Sequence, residues 1–187
     1  MHVLLVCTAN QCRSPMAELL LRERLREGGI RAETSSCGLL EPDIPATAEA
    51  IETMAGRGLD LSGHRSRRLD RRTVEGADLI LAMAREHLRE VVVTAPDAFQ
   101  RTFTLKELVR RGEAAGPRLP AEELSTYLAR LGFGRRPADL LGGSGEDDVA
   151  DPIGLPAEAY RATAEELDDL CKRAVALLAD SGTVVGS

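Results

Sequence analysis

An apolar run, Val3-Leu4-Leu5-Val6, feeds directly into Cys7-Thr8-Ala9-Asn10-Gln11-Cys12-Arg13-Ser14, and Pro15 opens a helical pattern. A run that short, bounded by a loop, reads as a buried strand, and proline belongs in the first turn of a helix. The chain is therefore committed near its start to strand, tight loop and helix. That geometry aims backbone N–H groups and a helix dipole at one small volume, which suits an anion. Positive potential there favours the thiolate of Cys7. Arg13 adds a planar fork that can hold two oxygens of a phosphate-like group. Cys7 as nucleophile, Thr8, Ala9, Asn10, Gln11 and Cys12 as a cradle, and Arg13 as clamp are the parts needed to attack a phosphoryl group covalently. Ser14 can donate to the thiolate, cap the helix, or do both. A nucleotide loop also follows a strand, but neither G-x4-G-K-[ST] nor a strand-linked G-x-G-x-x-G is present.

The rest of the pattern alternates. Strands are expected over 2–6, 32–35, 79–82 and 102–105. Helices are expected over 15–27, 46–56, 85–94, 106–111 and 157–179. Gly28-Gly29 stops the first helix, and Thr47 is a candidate cap for the second. Alternation of this kind argues for an α/β fold, with a parallel sheet covered on both faces. Ligands then bind at the carboxyl ends of strands, where Cys7 sits. A length of 187 residues suits one domain spanning 1–187. Residues 111–150 break the rhythm with Gly, Pro and acidic clusters around one helical stretch near 121–131. They read as a loop-rich insertion, either inert or serving as a lid or docking surface.

Net charge of −6 argues against a nucleic-acid partner. No apolar run is long enough for a membrane span, and no signal-peptide pattern opens the chain. The 4 cysteines do not suggest a disulfide scaffold, and a reactive thiol needs a reducing compartment, so the cytoplasm is expected. The run Arg65, Arg67, Arg68, Arg71 and Arg72 reads first as a solvated basic face, and second as a dock for an acidic or phosphorylated partner. His2 and His87 read as ordinary surface or core residues.

With these residues in place, the chain resembles the low-molecular-weight protein tyrosine phosphatases and their arginine phosphatase and arsenate reductase relatives. Their loop reads V-C-x-G-N-x-C-R-S-P, against Val6-Cys7-Thr8-Ala9-Asn10-Gln11-Cys12-Arg13-Ser14-Pro15 here. Met16-Ala17-Glu18, Ser36-Cys37-Gly38, Gly63-His64-Arg65-Ser66, the stretch from Ala77 to Met83, Phe103-Thr104-Leu105-Lys106-Glu107 and Asp151-Pro152 follow in family order. The resemblance implies a single doubly wound domain with a four-stranded parallel sheet in the order 2-1-3-4. It implies a phosphorylated protein as substrate, phosphate or another oxyanion in the loop, and neither cofactor nor metal. It makes Cys7 the nucleophile that becomes a cysteinyl-phosphate, and Asp151 the general acid and later the general base. Asn10, Ser36 and His64 match positions that brace the loop. Cys12 matches a residue that can form a reversible disulfide with the nucleophile, although packing explains it equally well. Cys37 and Cys171 read as packing.

Several positions depart from the family. Ala9 replaces a glycine, and a positive φ there would cost about 1 kcal/mol. Gln11 matches neither the isoleucine of the phosphotyrosine enzymes nor the threonine of the arginine enzymes. The usual aromatic wall positions hold Leu39-Leu40 and Ile153-Gly154. Phosphotyrosine ranks first as the commoner family activity. Phosphoarginine ranks second, on D-P-x-G and F-T-L-K-E. Arsenate reduction ranks third, because residues 80–100 hold no resolving cysteine. A phosphate-binding module without catalysis is the non-enzyme alternative. It is disfavoured because nucleophile, clamp and acid occur together.

Overall fold

The computed structural model describes residues 1–141 and 145–179. Four strands, β1 (His2–Cys7), β2 (Glu33–Gly38), β3 (Leu79–Ala82) and β4 (Thr102–Thr104), form one sheet in the order β2-β1-β3-β4. Every pairing is parallel, as the alternation of strands and helices requires. The helices are α1 (Arg13–Glu27), α2 (Ala48–Ala55), α3 (Arg71–Glu75), α4 (Arg85–Thr94), α5 (Leu105–Ala115), α6 (Leu124–Leu131) and α7 (Ala157–Leu178). Short 3-10 turns span Pro96–Arg101, Pro137–Leu141 and Gly145–Asp147. Among the described residues no helix is long and apolar enough to cross a membrane.

The period of two in β1 divides the core. Val3 and Leu5 point to the face covered by α1, α5 and α7, where they meet Leu81, Phe103 and Tyr160. Leu4 and Val6 point to the other face and pack with Ile80, Val74, Val91 and Ala98. Both faces are dry, which is why β1 and β3 read as unbroken apolar runs.

Several boundaries differ from the sequence expectation. Helix α1 starts at Arg13, two residues early, so Pro15 lies inside the first turn, where its missing N–H has no intrahelical partner to lose. Strand β2 runs on to Gly38, because its register with β1 pairs Cys7 with Gly38. Helix α2 is shorter than expected and is capped by the Thr47 hydroxyl, which accepts from Ala50 N at 3.3 Å. Helix α3 was not expected. Asp70 initiates it by accepting from Thr73 N at 2.7 Å, inside the arginine-rich run. Helix α5 continues to Ala115 through Gly112, where a Cβ would lie 2.6 Å from Leu177 Cδ1, so the glycine lets α5 and α7 approach. Helix α6 begins only at Leu124, since Ala121 takes a left-handed φ of 60°. Residues 142–144 of the expected loop-rich segment lie outside the described residues.

Candidate active site

The loop joining β1 to α1 lies at the carboxyl end of the sheet and closes around the Cys7 thiol. Ser14 Oγ is 3.0 Å from Cys7 Sγ, and the Asn10 N–H donates to the same sulfur at 3.2 Å. Asn10 is the left-handed residue of the loop (φ 55°). Ala9 is not among the positive-φ residues, so its replacement of glycine carries no such cost; the strain falls on asparagine, which tolerates it better than most residues. Asn10 repays the strain with its side chain. Its Nδ2 donates to Ser14 Oγ and Ser36 Oγ, both at 2.9 Å, and its Oδ1 accepts from Arg67 N at 2.8 Å. Its carbonyl accepts from His64 Nε2 at 2.7 Å. Because a carbonyl only accepts, that His64 nitrogen carries the proton. Burial lowers the His64 pKa, which favours this neutral form.

The donor directions form a relay. Ser36 donates to the buried carboxylate of Glu18 at 2.7 Å, so its oxygen is free to accept from Asn10. Ser14 in turn accepts from Asn10, and its own proton has two acceptors in reach, the sulfur at 3.0 Å and Cys37 O at 3.4 Å. Asn10, Ser14, Ser36 and His64 are thus brought together around Cys7, as their sequence positions suggested. Thr8 and Gln11 serve the cradle through their backbones. Thr8 O accepts from Leu39 N (2.7 Å) and Leu40 N (3.2 Å), and Gln11 O accepts from Thr47 N at 3.0 Å.

Arg13 is 4% exposed. One terminal nitrogen donates to Val149 O at 3.2 Å. The other donates to Thr8 Oγ1 at 3.2 Å and to Asp151 Oδ2. Its buried Nε has no partner among the described residues. A buried cationic N–H left open is expensive unless something occupies it in use. Asp151 also accepts from Cys12 Sγ (3.7 Å) and from Ile153 N (3.2 Å).

The segment before Asp151 is pinned from several sides. Asp147 pairs with Arg110, Asp148 accepts from Arg85 N at 2.8 Å, and Val149 N donates to Met83 O at 2.8 Å. Asp147 and Asp148 therefore anchor the segment and only Asp151 reaches Arg13.

Cys7, Cys12, Cys37 and Cys171 are all free and buried. Burial pushes the Cys12 thiol up to about 12, with the neighbouring Cys7 adding to the rise, and pushes Cys37 to about 12. Both therefore stay protonated at neutral pH.

Three contributors were not marked as site residues in the sequence. Gly38 lies so close to the loop that a Cβ would sit 2.7 Å from Thr8 O and 2.8 Å from Asn10 N. The glycine of Ser36-Cys37-Gly38 was the available signal. Glu18 closes the relay, and its place in Met16-Ala17-Glu18, one turn beyond Ser14, was the available signal. His87 is fully buried against Thr8, with Nε2 at 2.8 Å from Thr8 Oγ1, and nothing local in the sequence marks it.

The exposed hydrophobic residues that touch the site are aliphatic: Leu40, whose N–H donates to Thr8 O, and Ile153, whose N–H donates to Asp151 Oδ1. Of the aromatic residues, Phe99, Phe103, Tyr127 and Tyr160 are buried, and the exposed Phe133 follows α6 with its carbonyl near Arg111.

Comparison with known proteins gives four matches. A family model for low molecular weight phosphotyrosine protein phosphatase matches residues 2–118. The protein-arginine-phosphatase of Geobacillus stearothermophilus is 32% identical over 174 residues, covering 92% of this chain and 92% of that protein. Among solved structures, the low molecular weight protein tyrosine phosphatase from T. tengcongensis superposes with a TM-score of 0.70 at 36% identity, over 92% of this chain and 96% of that one. A cysteine-to-serine mutant of YwlE arginine phosphatase with a phosphorylated active-site serine superposes with a TM-score of 0.71 at 28% identity, over 94% and 93% of the two chains.

Proposed function

The chain belongs to the low-molecular-weight phosphotyrosine protein phosphatase family and is a cysteine-dependent phosphatase, and we propose that its reaction runs through a phosphocysteine formed on Cys7. One observation carries this reading. Cys7 Sγ is held by Ser14 and the Asn10 amide at the floor of a loop whose buried arginine keeps one N–H open. A phosphoryl group in that volume fills the open donor. The thiolate attacks phosphorus, an S–P bond forms, and the ester bond to the leaving group breaks. Asp151 gives its proton to the leaving atom. It then takes a proton from water, which attacks phosphorus, releases phosphate and restores the thiolate. The phosphorylated serine of the YwlE mutant supports this by analogy, since there the phosphoryl group rests on an active-site side chain.

The substrate is a phosphorylated protein, with phosphotyrosine as the first reading because the matching family model describes that activity. Phosphoarginine is the second, favoured by a mouth without an exposed aromatic wall and by the arginine phosphatase match over most of the chain. Residues 1–187 act as a single phosphatase domain, in which segment 111–150 delivers Asp151 to the loop. A thiol nucleophile needs a reducing compartment, which supports the cytoplasm as our reading of where it works.

The test is phosphate release from matched phosphotyrosine and phosphoarginine peptides, with Cys7→Ser as control. Release that survives Cys7→Ser sinks the mechanism. Failure to hydrolyse either peptide or a generic aryl phosphate leaves only a phosphate-binding module.

A further inference from the structure

Thr8 Oγ1 lies between two donors that a single hydroxyl has to serve. Arg13 approaches from one side at 3.2 Å and can only donate. His87 Nε2 approaches from the other at 2.8 Å. Neutral histidine carries one ring proton, and two facts place it on Nε2. The Glu86 carboxylate stands 3.3 Å from Nε2 and favours an N–H there. His87 Nδ1 is buried with no partner among the described residues, and a bare lone pair is a cheaper orphan than a buried N–H. Burial, reinforced by the Arg13 charge, keeps the ring neutral.

With Nε2 as donor, both lone pairs of Thr8 are occupied, one by His87 and one by Arg13. The hydroxyl is then fixed as an acceptor for Arg13, and its own proton turns toward the open side of this partly exposed residue. On this basis we propose that His87 is a positioning residue. It acts through Thr8 to hold the Arg13 guanidinium so that the open Nε faces the oxyanion. This deepens the phosphatase reading and rests on it only for the identity of the anion.

The measurement is the dissociation constant of inorganic phosphate by calorimetry, which needs no turnover and so stands apart from the test of hydrolysis. Thr8→Val keeps the shape and removes the acceptor. His87→Leu removes the donor, and His87→Gln supplies an N–H near the same place. Thr8→Val and His87→Leu should each weaken phosphate binding about tenfold, as expected for one hydrogen bond to a charged group. The double variant should weaken it no further than either change alone. His87→Gln should bind phosphate close to the unaltered protein. Unchanged binding in Thr8→Val, or losses that add in the double variant, overturns the proposal. Thermal melting checks that each variant is folded. If leucine at this buried site prevents folding, loss in Thr8→Val together with retention in His87→Gln supports the proposal, and the same weakening in both overturns it.

Discussion

Arg13 presents a fork to the site, and a lysine in its place would present one point charge. Arg13→Lys should therefore lower kcat/KM for aryl phosphate by about a thousandfold, because neither the Val149 and Thr8 contacts nor a two-point grip on phosphate can be kept at once. Asp151 presents a different balance. In its proposed role it moves a proton, yet its carboxylate is paired with Arg13, where an anion would also bind. Asp151→Asn should slow hydrolysis by about 10²–10⁴-fold. It should also bind inorganic phosphate more tightly than the unaltered protein, since the anion no longer displaces a competing charge. Equal phosphate affinity in a calorimetric titration of the two proteins would remove the competition argument. At this scale the sequence was readable where chemistry is local. Cys7, Asn10, Arg13 and Ser14 fall within one loop and one turn. Gly38, Glu18 and His87 were not readable as site residues, because their roles arise from contacts between separate elements. The left-handed φ sits at Asn10, whose side chain ties three neighbours to the loop.

Among the elements, two glycines separate site geometry from stability. Gly38 ends β2 against the backbone of the loop, and backbone cannot step aside as a side chain can. Gly38→Ala should therefore cut kcat/KM by about a hundredfold through displacement of the cradle. Gly112 faces the flexible end of Leu177 between α5 and α7. Gly112→Ala should destabilise the fold by about 1–2 kcal/mol from overpacking, in a chemical denaturation experiment, with aryl-phosphate hydrolysis per folded molecule preserved. If Gly38→Ala only lowered stability, the close approach would be a packing detail. Strands β1 and β3 were legible because burial on both faces writes an apolar run. The true length of β2 was not, because its Thr34-Ser35-Ser36 stretch is polar and its extent is set by register with β1. Helix α3 was missed because a single turn carries too little periodicity, and its Asp70 cap sits among arginines that drew a reading as surface charge.

At the scale of the whole molecule, pH tests the cost of burying histidine. His87 is held down to about 4 from 6.5 by burial and by the Arg13 charge, and His64 is lowered by burial. The unfolded chain then takes up protons below pH 6.5 that the folded chain refuses, so stability falls on acidification between pH 6.5 and about 4. His87→Gln should flatten that decline by on the order of 2 kcal/mol, read from melting curves across the window. An unchanged slope would mean that His87 does not carry it. The parallel sheet followed from alternating elements and its order β2-β1-β3-β4 from the family resemblance, whereas the route that brings Asp151 to Arg13 could not be read from either end alone. That route has a consequence in time. The cradle and most of the residues that brace it fall between Cys7 and His87, while the acid lies 138 positions beyond Arg13. Contacts of such separation close late, after their loop entropy has been met by the intervening structure. A refolding chain should recover the ability to capture phosphate before it recovers turnover, so an incompletely folded molecule holds an anion without cutting an ester.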